Sequence, residues 1–289
     1  MIPPAFDYAA PQTLQEAVAL LGQNPEAKIL AGGHSLIPMM RFRLATPAFL
    51  IDLNRIDGLN YIREEGGWLK IGAMTREADL DKSALIQQKY PLLAETTRMI
   101  ADPLVRNLAT VGGNLAHADP ANDHPAAMLA LGAQVVASGP NGSRTIPVSQ
   151  LFTNPFETAL AHDEILTEIQ VPAAQARSGG SYQKIERKVG DFATAAVAAQ
   201  VTLDAKGKCT YAGIGLTNAG LTPVHAQDAA ASLVGQMPND AAIRTAAGLA
   251  AEAAEPTADY RGSEEYKRSL FRTLTVRAVR RAVQQAQGG

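Results

Sequence analysis

Two glycine-rich stretches decide the fold: Ala31-Gly32-Gly33-His34-Ser35 and Thr110-Val111-Gly112-Gly113-Asn114. Adjacent glycines carry no Cβ, so the backbone can adopt a positive φ and turn successive N–H groups into one concavity. The hydroxyl and amide side chains of Ser35, Thr110 and Asn114 add hydrogen bonds that suit phosphate oxygens. Two such loops in one domain suit a ligand with two phosphates, and they therefore predict a dinucleotide cofactor.

Other nucleotide-binding motifs are missing from the sequence. No G-x-G-x-x-G follows a strand and no G-x-x-x-x-G-K-[ST] occurs, so neither a Rossmann site nor a P-loop is predicted. Taken singly, each Gly-Gly pair is more typical of a tight turn than of a ligand site. The pattern shared by the two stretches is what favours a phosphate site.

The segment His117-Ala118-Asp119-Pro120-Ala121-Asn122-Asp123-His124 admits a metal-site interpretation, because it brings histidines and aspartates close together in sequence. The prolines within it and just after it predict a loop, so His117 and His124 do not share a helical face. We therefore favour Asp123 as the N-cap of the following helix, or as an acceptor for ribose hydroxyls or an adenine amine.

Composition limits the classes of function. The chain has 289 residues with 46% hydrophobic and 19% charged residues, enough for two globular domains with a buried core. A net charge of −2 gives no reason to expect nucleic acid as a partner. The single cysteine, Cys209, excludes an internal disulfide and a cluster of thiolate ligands. Neither a secretory signal nor a membrane-spanning segment is predicted, so we expect a cytoplasmic protein.

Hydrophobic periodicity and turn residues predict an α+β chain. The capping box Thr13–Glu16 opens a helix, and strands at 28–30 and 49–53 complete a small α/β unit. The further predicted elements are hairpins at 61–72 and 134–147, helices at 91–100 and 124–131, a strand at 165–171, a linker at 173–180, strands at 182–188, 195–203 and 209–217, and helices near 225–235, 239–254 and 263–286. We expect domains at 1–175, with lobes of about 1–55 and 56–175, and at 176–289.

The stretch from Tyr182 to Asp191 is unusually basic for a strand, since it includes Lys184, Arg187 and Lys188. It is either a solvated or subunit-facing edge, or a source of a cation placed near an electron-rich ring. Both interpretations stay open on the sequence alone.

The chain resembles the FAD-binding medium subunit of the molybdenum hydroxylases, the xanthine dehydrogenase superfamily. The resemblance is carried by the two glycine loops together with Asp119–Asp123, Gly190–Ala195 and Ile214–Asn218, and it covers essentially the whole chain. The opening Met1-Ile2-Pro3 and the segment Ile100–Pro103 are most similar to the aerobic carbon monoxide dehydrogenase branch. Related medium subunits serve hydroxylases of purines, aldehydes and N-heterocycles.

The resemblance implies a two-lobed FAD-binding domain of the vanillyl-alcohol-oxidase/cresol-methylhydroxylase type, followed by an α+β flavoprotein C-terminal domain. It implies FAD with its pyrophosphate between the loops, its adenosine end at Asp123, and its isoalloxazine near Lys184. Phe192 falls where close relatives often carry a tyrosine over the flavin. Because His34 lies in the phosphate loop, we expect non-covalent FAD. The residues expected to bind FAD are Ala31, Gly32, Gly33, His34, Ser35, Leu36, Thr110, Val111, Gly112, Gly113, Asn114, Asp123, Ile165, Leu166, Lys184 and Phe192.

By resemblance, this is an electron-transfer subunit with neither a catalytic base nor a metal ligand of its own. A large subunit would hold the molybdenum cofactor and a small subunit two [2Fe-2S] clusters, in a dimer of heterotrimers. Electrons would leave FAD for a quinone or another acceptor, in a complex that is cytoplasmic or peripheral at the inner membrane face. The alternatives are a self-sufficient flavin oxidase and a scaffold that has lost FAD.

Overall fold

The computed structural model describes residues 2–288. Its helices are α1 (Leu14–Gln23), α2 (Leu36–Arg41), α3 (Glu77–Lys82), α4 (Ala84–Lys89), α5 (Pro91–Arg98), α6 (Pro103–Arg106), α7 (Val111–His117), α8 (Asp123–Ala130), α9 (Gln227–Leu233), α10 (Asp240–Glu252) and α11 (Glu264–Gly288). Its strands are β1 (Asp7–Ala9), β2 (Ala27–Leu30), β3 (Phe49–Asp52), β4 (Ile62–Glu65), β5 (Trp68–Gly72), β6 (Gln134–Gly139), β7 (Gly142–Pro147), β8 (Phe152–Asn154), β9 (Glu157–Thr158), β10 (Ile165–Pro172), β11 (Ser178–Ile185), β12 (Ala195–Leu203), β13 (Cys209–Thr217) and β14 (Val224–His225).

The first lobe is a small parallel sheet in the order β1-β3-β2, covered by α1. Thr13 begins the helix as predicted, because its side chain accepts the Glu16 N–H and satisfies an otherwise free donor. Ala17 and Leu21 of this helix pack against Ile51 of β3. At the end of β2 the chain enters the first glycine loop.

The second lobe is an antiparallel sheet in the order β4-β5-β10-β6-β7, and both predicted hairpins are confirmed in it. The central strand β10 pairs with β5 on one side and β6 on the other. Ile165 and Leu166 begin this strand and have exposed fractions of 2% and 5%. Their side chains belong to the cores of the first and second lobes, respectively.

The C-terminal domain is an antiparallel sheet in the order β11-β12-β13-β14, followed by the helices α9 to α11. This order of strands and then helices confirms the predicted α+β class. Helix α11 lies so close to β11 that a Cβ at Gly179 would collide with the Ala282 carbonyl oxygen. The predicted C-terminal helices are all confirmed, with small shifts at their ends.

Helix α8 of the second lobe packs directly on the C-terminal sheet. A Cβ at Gly213 would collide with the Ala130 carbonyl oxygen, and a Cβ at Gly215 with that of Ala126. These two β13 glycines are needed because backbone meets backbone without a layer of side chains between. One hydrophobic core accordingly contains residues of both domains, such as Leu92 of α5 and Ala198 of β12.

Several predicted boundaries are wrong. Ser178–Gly180, predicted as linker, begins β11 and pairs with residues 200–202 of β12. A Cβ at Gly180 would lie 2.7 Å from the Leu92 Cβ, so the glycine there serves close packing and not a turn. The same strand ends at Ile185 instead of 188. Over residues 2–288, no helix is both long and apolar enough to cross a bilayer.

Candidate cofactor site

The structure brings the two glycine loops side by side. A Cβ at Gly32 would lie 2.7 Å from the Ala109 Cα, just ahead of the second loop. A Cβ at Gly113 would lie 3.4 Å from the Ala31 Cβ of the first loop. The close approach of the two loops therefore depends on the missing side chain of Gly32, whereas a Cβ at Gly113 would make only an ordinary contact with Ala31.

The first loop keeps its backbone donors free. Within residues 2–288, the N–H groups of Gly32, Gly33, His34 and Ser35 donate to no other group. Gly33 has a φ of 76°, which turns the chain into α2 and favours glycine. His34 is exposed, Ser35 and Leu36 are half-buried, and the Ser35 side chain does not cap the helix. The first loop therefore has four consecutive N–H groups without a protein acceptor in the described part of the chain.

The second loop differs from the prediction, because four of its N–H groups, those of Val111 to Asn114, donate to acceptors inside the protein. The stretch Val111–Asn114 donates in turn to the Thr75 carbonyl (3.0 Å), the Ala73 carbonyl (2.9 Å), the Thr110 hydroxyl (3.1 Å) and the Thr110 carbonyl (2.9 Å). The prediction of a second N–H cradle is therefore wrong. Thr110 caps α7, which starts inside the predicted loop. Gly112 is required because its Cβ would lie 2.5 Å from that of Ala73.

Asn114 supplies an acceptor without a partner. Its Oδ1 is buried and accepts no hydrogen bond within residues 2–288. Its backbone carbonyl, by contrast, accepts from the Asn122 side chain at 3.0 Å. A buried acceptor left unpaired is costly and indicates a missing donor, such as a hydroxyl or amine of a ligand. Together with the free donors of the first loop, this atom fits a bound dinucleotide.

Two polar residues that the sequence analysis missed tie the loops together. Asn54 donates to the Ala31 carbonyl at 2.9 Å. Arg76 donates to the Leu108 carbonyl and also to the Asn54 Oδ1. Asn54 lies just beyond β3 and Arg76 just before α3, so no local motif marks either residue. Their bridge holds the chain on both sides of the contact between the loops.

Asp123 is the first residue of α8 and not its N-cap, which is Asn122. Its Oδ1 accepts from the Tyr182 hydroxyl at 2.6 Å and its Oδ2 from the Lys184 ammonium at 3.0 Å. The N-cap interpretation is therefore wrong, since both oxygens are engaged by β11. Burial raises the pKa of the Asp123 carboxyl, and the Lys184 charge and the Tyr182 hydrogen bond oppose that shift.

Lys184 does not belong to a solvated edge. Its side chain is fully buried, and the ammonium contacts Asp123, the Met99 carbonyl at 3.1 Å and Glu186 at 3.3 Å. All of its donors therefore have protein acceptors. Phe192 lies in the loop between β11 and β12 and is 49% exposed, so its ring is accessible at the protein surface.

The structure does not bring together the two histidines of the metal-site alternative. His124 is fully buried and its Nε2 lies 2.7 Å from Glu77 Oε2, whereas the His117 ring packs against Phe156 at 5.3 Å. No group of three or more potential metal ligands occurs within residues 2–288. The two histidines thus have separate partners.

Comparison with known proteins covers both parts of the chain. The family model described as FAD binding domain in molybdopterin dehydrogenase matches residues 4–174, and that of the CO dehydrogenase flavoprotein C-terminal domain matches residues 180–282. The carbon monoxide dehydrogenase medium chain of Hydrogenophaga pseudoflava is 45% identical over 283 residues, covering 98% of each chain. The 6-hydroxypseudooxynicotine dehydrogenase complex subunit alpha of Paenarthrobacter nicotinovorans is 37% identical, covering 99% of this chain and 97% of that one.

A solved structure has the same fold over its whole length. It is carbon monoxide dehydrogenase from Hydrogenophaga pseudoflava lacking the Mo-pyranopterin moiety of the molybdenum cofactor. The two chains superpose with a TM-score of 0.96 at 46% identity, and the match covers 99% of each. The resemblance noted from the sequence thus extends to the arrangement of both domains.

Proposed function

Since this chain belongs to the family of FAD-binding medium subunits of the molybdenum hydroxylases, we propose that it binds FAD non-covalently at the paired glycine loops and transfers electrons through it. The free N–H groups of Gly32 to Ser35 carry this proposal, because they form a donor cradle that phosphate oxygens fit. The unpaired Asn114 Oδ1 at the neighbouring loop supports it. FAD, when bound, supplies the redox chemistry, and the chain holds and shields it.

The predicted site residues divide by role in this proposal. The first loop would hold the pyrophosphate through backbone donors, and the second would shape the wall with Gly112, Gly113 and Asn114. Asp123 was expected at the adenosine end and Lys184 near the isoalloxazine, but the two side chains lie 3.0 Å apart and so cannot mark opposite ends of FAD. We propose that they act chiefly as a buried pair behind the site, because their polar atoms already have protein partners. Phe192 would lie over one face of the isoalloxazine, where a phenyl ring can stack but not donate a hydrogen bond.

We also propose that the chain works in a complex with a large molybdenum-binding subunit and a small iron–sulfur subunit. Electrons would pass from [2Fe-2S] clusters to FAD and then to a quinone or another acceptor. A dimer of heterotrimers, cytoplasmic or peripheral at the inner membrane face, is the assembly we propose, with domains at 1–175 and 176–289. The medium-chain relatives over nearly the whole length support the heteromeric part of this proposal.

Carbon monoxide is the reducing substrate we propose for the complex. The support is the 45% identity to a carbon monoxide dehydrogenase medium chain. The 37% identity to a subunit of a 6-hydroxypseudooxynicotine dehydrogenase complex favours a second candidate, a hydroxylase of N-heterocycles or related compounds. The substrate would be chosen on the partner subunit, so this chain's own residues do not distinguish the two.

An anaerobic titration of the purified complex tests the proposal. We expect flavin and iron–sulfur absorption bands in the visible spectrum, and we expect both to bleach when carbon monoxide is added. If the absorption of both bands is unchanged by carbon monoxide but bleaches with an N-heterocycle, the result would support the second candidate. Reduction of flavin by a substrate without any partner chain would overturn both in favour of a self-sufficient oxidase. A colourless complex would contradict FAD binding.

A further inference from the structure

A tight turn of the C-terminal domain, residues 259–262, reaches over the loop that carries Phe192. Asp259 and Gly262 donate N–H···O bonds to each other, both at 3.1 Å, so Tyr260 and Arg261 form the tip. We call residues 259–262 the clamp turn and residues 186–192 the Phe192 loop. Tyr260 is 71% exposed, so its ring is held over the surface and not inside a core.

The clamp turn is fixed to the core of its domain by a buried lysine. Lys267 of α11 is 1% exposed, and its ammonium donates to the Thr257 carbonyl at 2.7 Å and lies 2.9 Å from the Asp259 carboxylate. A buried ammonium is tolerated only with such partners. Although partial burial opposes it, the Lys267 hydrogen bond holds the pKa of Asp259 below its ordinary value. The clamp turn is therefore tied to α11 through Lys267.

The tip of the clamp turn holds the Phe192 loop through Asp191. The Asp191 carboxylate lies 3.4 Å from Arg261 and 3.3 Å from Arg187. The guanidinium groups of these two arginines lie over the Tyr260 ring, each 4.8 Å from its centroid. Cation–π contacts and ion pairs thus act on the same loop. The Asp191 carboxylate also accepts the Phe192 N–H at 2.9 Å, so the clamp reaches the residue that carries the exposed ring.

The other side of the Phe192 loop is pressed against the FAD-binding domain. Gly190 has a φ of 82°, and a Cβ there would lie 2.8 Å from the Ala101 carbonyl oxygen. Ala101 itself has a φ of 44°, which is strained for a residue with a side chain. Such backbone persists only where the surroundings determine it, and it concentrates at functional sites. The loop is thus held between the clamp turn and the segment at Ala101.

We propose that the clamp turn positions the Phe192 ring and so limits how freely solutes reach the bound flavin. Tyr260 and Arg261 are its positioning residues. The inference rests on the proposed function, because it takes FAD to lie beneath the Phe192 loop. The inference has two parts that can be tested separately. The clamp turn holds the Phe192 loop whether or not FAD is bound, whereas its effect on solute access can be measured only on bound flavin.

Two variants loosen the clamp and two controls leave it intact. Tyr260→Ala removes the ring and Arg261→Gln the charge. Tyr260→Phe keeps the stacked ring, and Arg244→Gln removes an exposed arginine that pairs within α10. In the purified complex, hydrogen exchange at residues 187–194 measures the loop, and quenching of flavin fluorescence by iodide measures access. In Tyr260→Ala and Arg261→Gln, we expect amide exchange in the loop and iodide quenching of flavin fluorescence each to be roughly fivefold faster than in the parent. Both control variants should match the parent.

Unchanged exchange in the loosening variants would overturn the clamp. Faster exchange without increased quenching would overturn its role at the flavin. Failure of the proposed function is recognised separately, because the parent complex would then contain no flavin before any substitution is made. Exchange at residues 110–118 serves as the internal reference, and a rise there would indicate general loosening and overturn the inference.

Discussion

The hydroxyl of Tyr182 lies 2.6 Å from Oδ1 of Asp123 and joins the C-terminal sheet to the first residue of α8. The same hydroxyl lies 3.2 Å from that of Thr217 on β13. The helix that begins at Asp123 is therefore held by polar bonds at its start and by glycine contacts along its length. Whatever binds near Asp123 is sensitive to how the two domains meet.

Tyr182→Phe tests this polar contact. Because the Asp123 carboxylate loses a buried donor, we expect a loss of about 1–3 kcal/mol in the free energy of unfolding. Urea denaturation of the isolated chain measures it. Tyr266→Phe is the matched control, since that ring is 47% exposed, and it should leave the unfolding midpoint unchanged. Equal midpoints for the two variants would contradict a structural role for the Tyr182 hydroxyl.

Gly32→Ala tests the contact between the loops. The new Cβ meets the backbone of residues 108 and 109, which cannot move aside as a flexible side chain would. We expect the loops to separate and FAD affinity to fall about tenfold, consistent with overpacking costs of about 1–3 kcal/mol. Flavin fluorescence during titration of the apoprotein measures this affinity. Gly22→Ala adds a Cβ with nothing within 4 Å, so FAD binding should persist.

Asn114→Ala tests the unpaired acceptor. If FAD supplies the missing donor, removal of the Asn114 side chain should weaken FAD binding. The apoprotein should be at least as stable as before, because an unsatisfied buried oxygen is lost. The two measurements are FAD affinity and the thermal midpoint without FAD. A large drop in the apoprotein midpoint would indicate instead that Asn114 serves the fold.

Cys209 should be inert in the folded protein. The residue is 1% exposed, and burial raises the pKa of its thiol to about 11. At pH 8 only about one thiol in a thousand is then ionised, and the thiolate is the reactive form. We expect no reaction with a thiol reagent in buffer and complete reaction in denaturant. Rapid labelling of the native chain would show that β13 opens locally.

The clamp turn should weaken in acid. The pKa of Asp259 is lowered from 3.8, so its contribution to stability is complete above that value and is lost as pH falls through the lower native pKa. Asp259→Asn should therefore speed exchange at residues 187–194 at pH 7. Below the native pKa, parent and variant should exchange alike. A difference that survives in strong acid would rule out the carboxylate as its cause.

Local signals in the sequence predicted much of the fold. The cap at Thr13 and the alternating strands were recognisable because hydrogen bonds and burial act within a few residues. The first glycine loop was also recognisable from its composition. The start of α7 was not, because Gly112 and Gly113 are poor helix formers and the helix depends on contacts with residues 73–75.

The polar contacts of the site could not be predicted from local pattern. Asn54, Arg76 and Tyr182 each act on residues far away in the sequence, and no spacing rule marks such pairs. The buried position of Lys184 was missed for a related reason. A lysine is predicted to be exposed unless its carboxylate partner is known. For Lys184 that partner is Asp123 of α8.

The direct backbone contact of Gly213 and Gly215 with α8 limits which chimaeras of this chain can fold. A chimaera that joined residues 1–175 to the C-terminal part of a relative would need glycine, or a shifted helix, at both positions. Any larger residue there would lift α8 and tilt Asp123 with it. The two halves can therefore be exchanged only as a matched pair. In a fragment that ends at residue 175, the face of α8 that contacts Gly213 and Gly215 would be exposed to water.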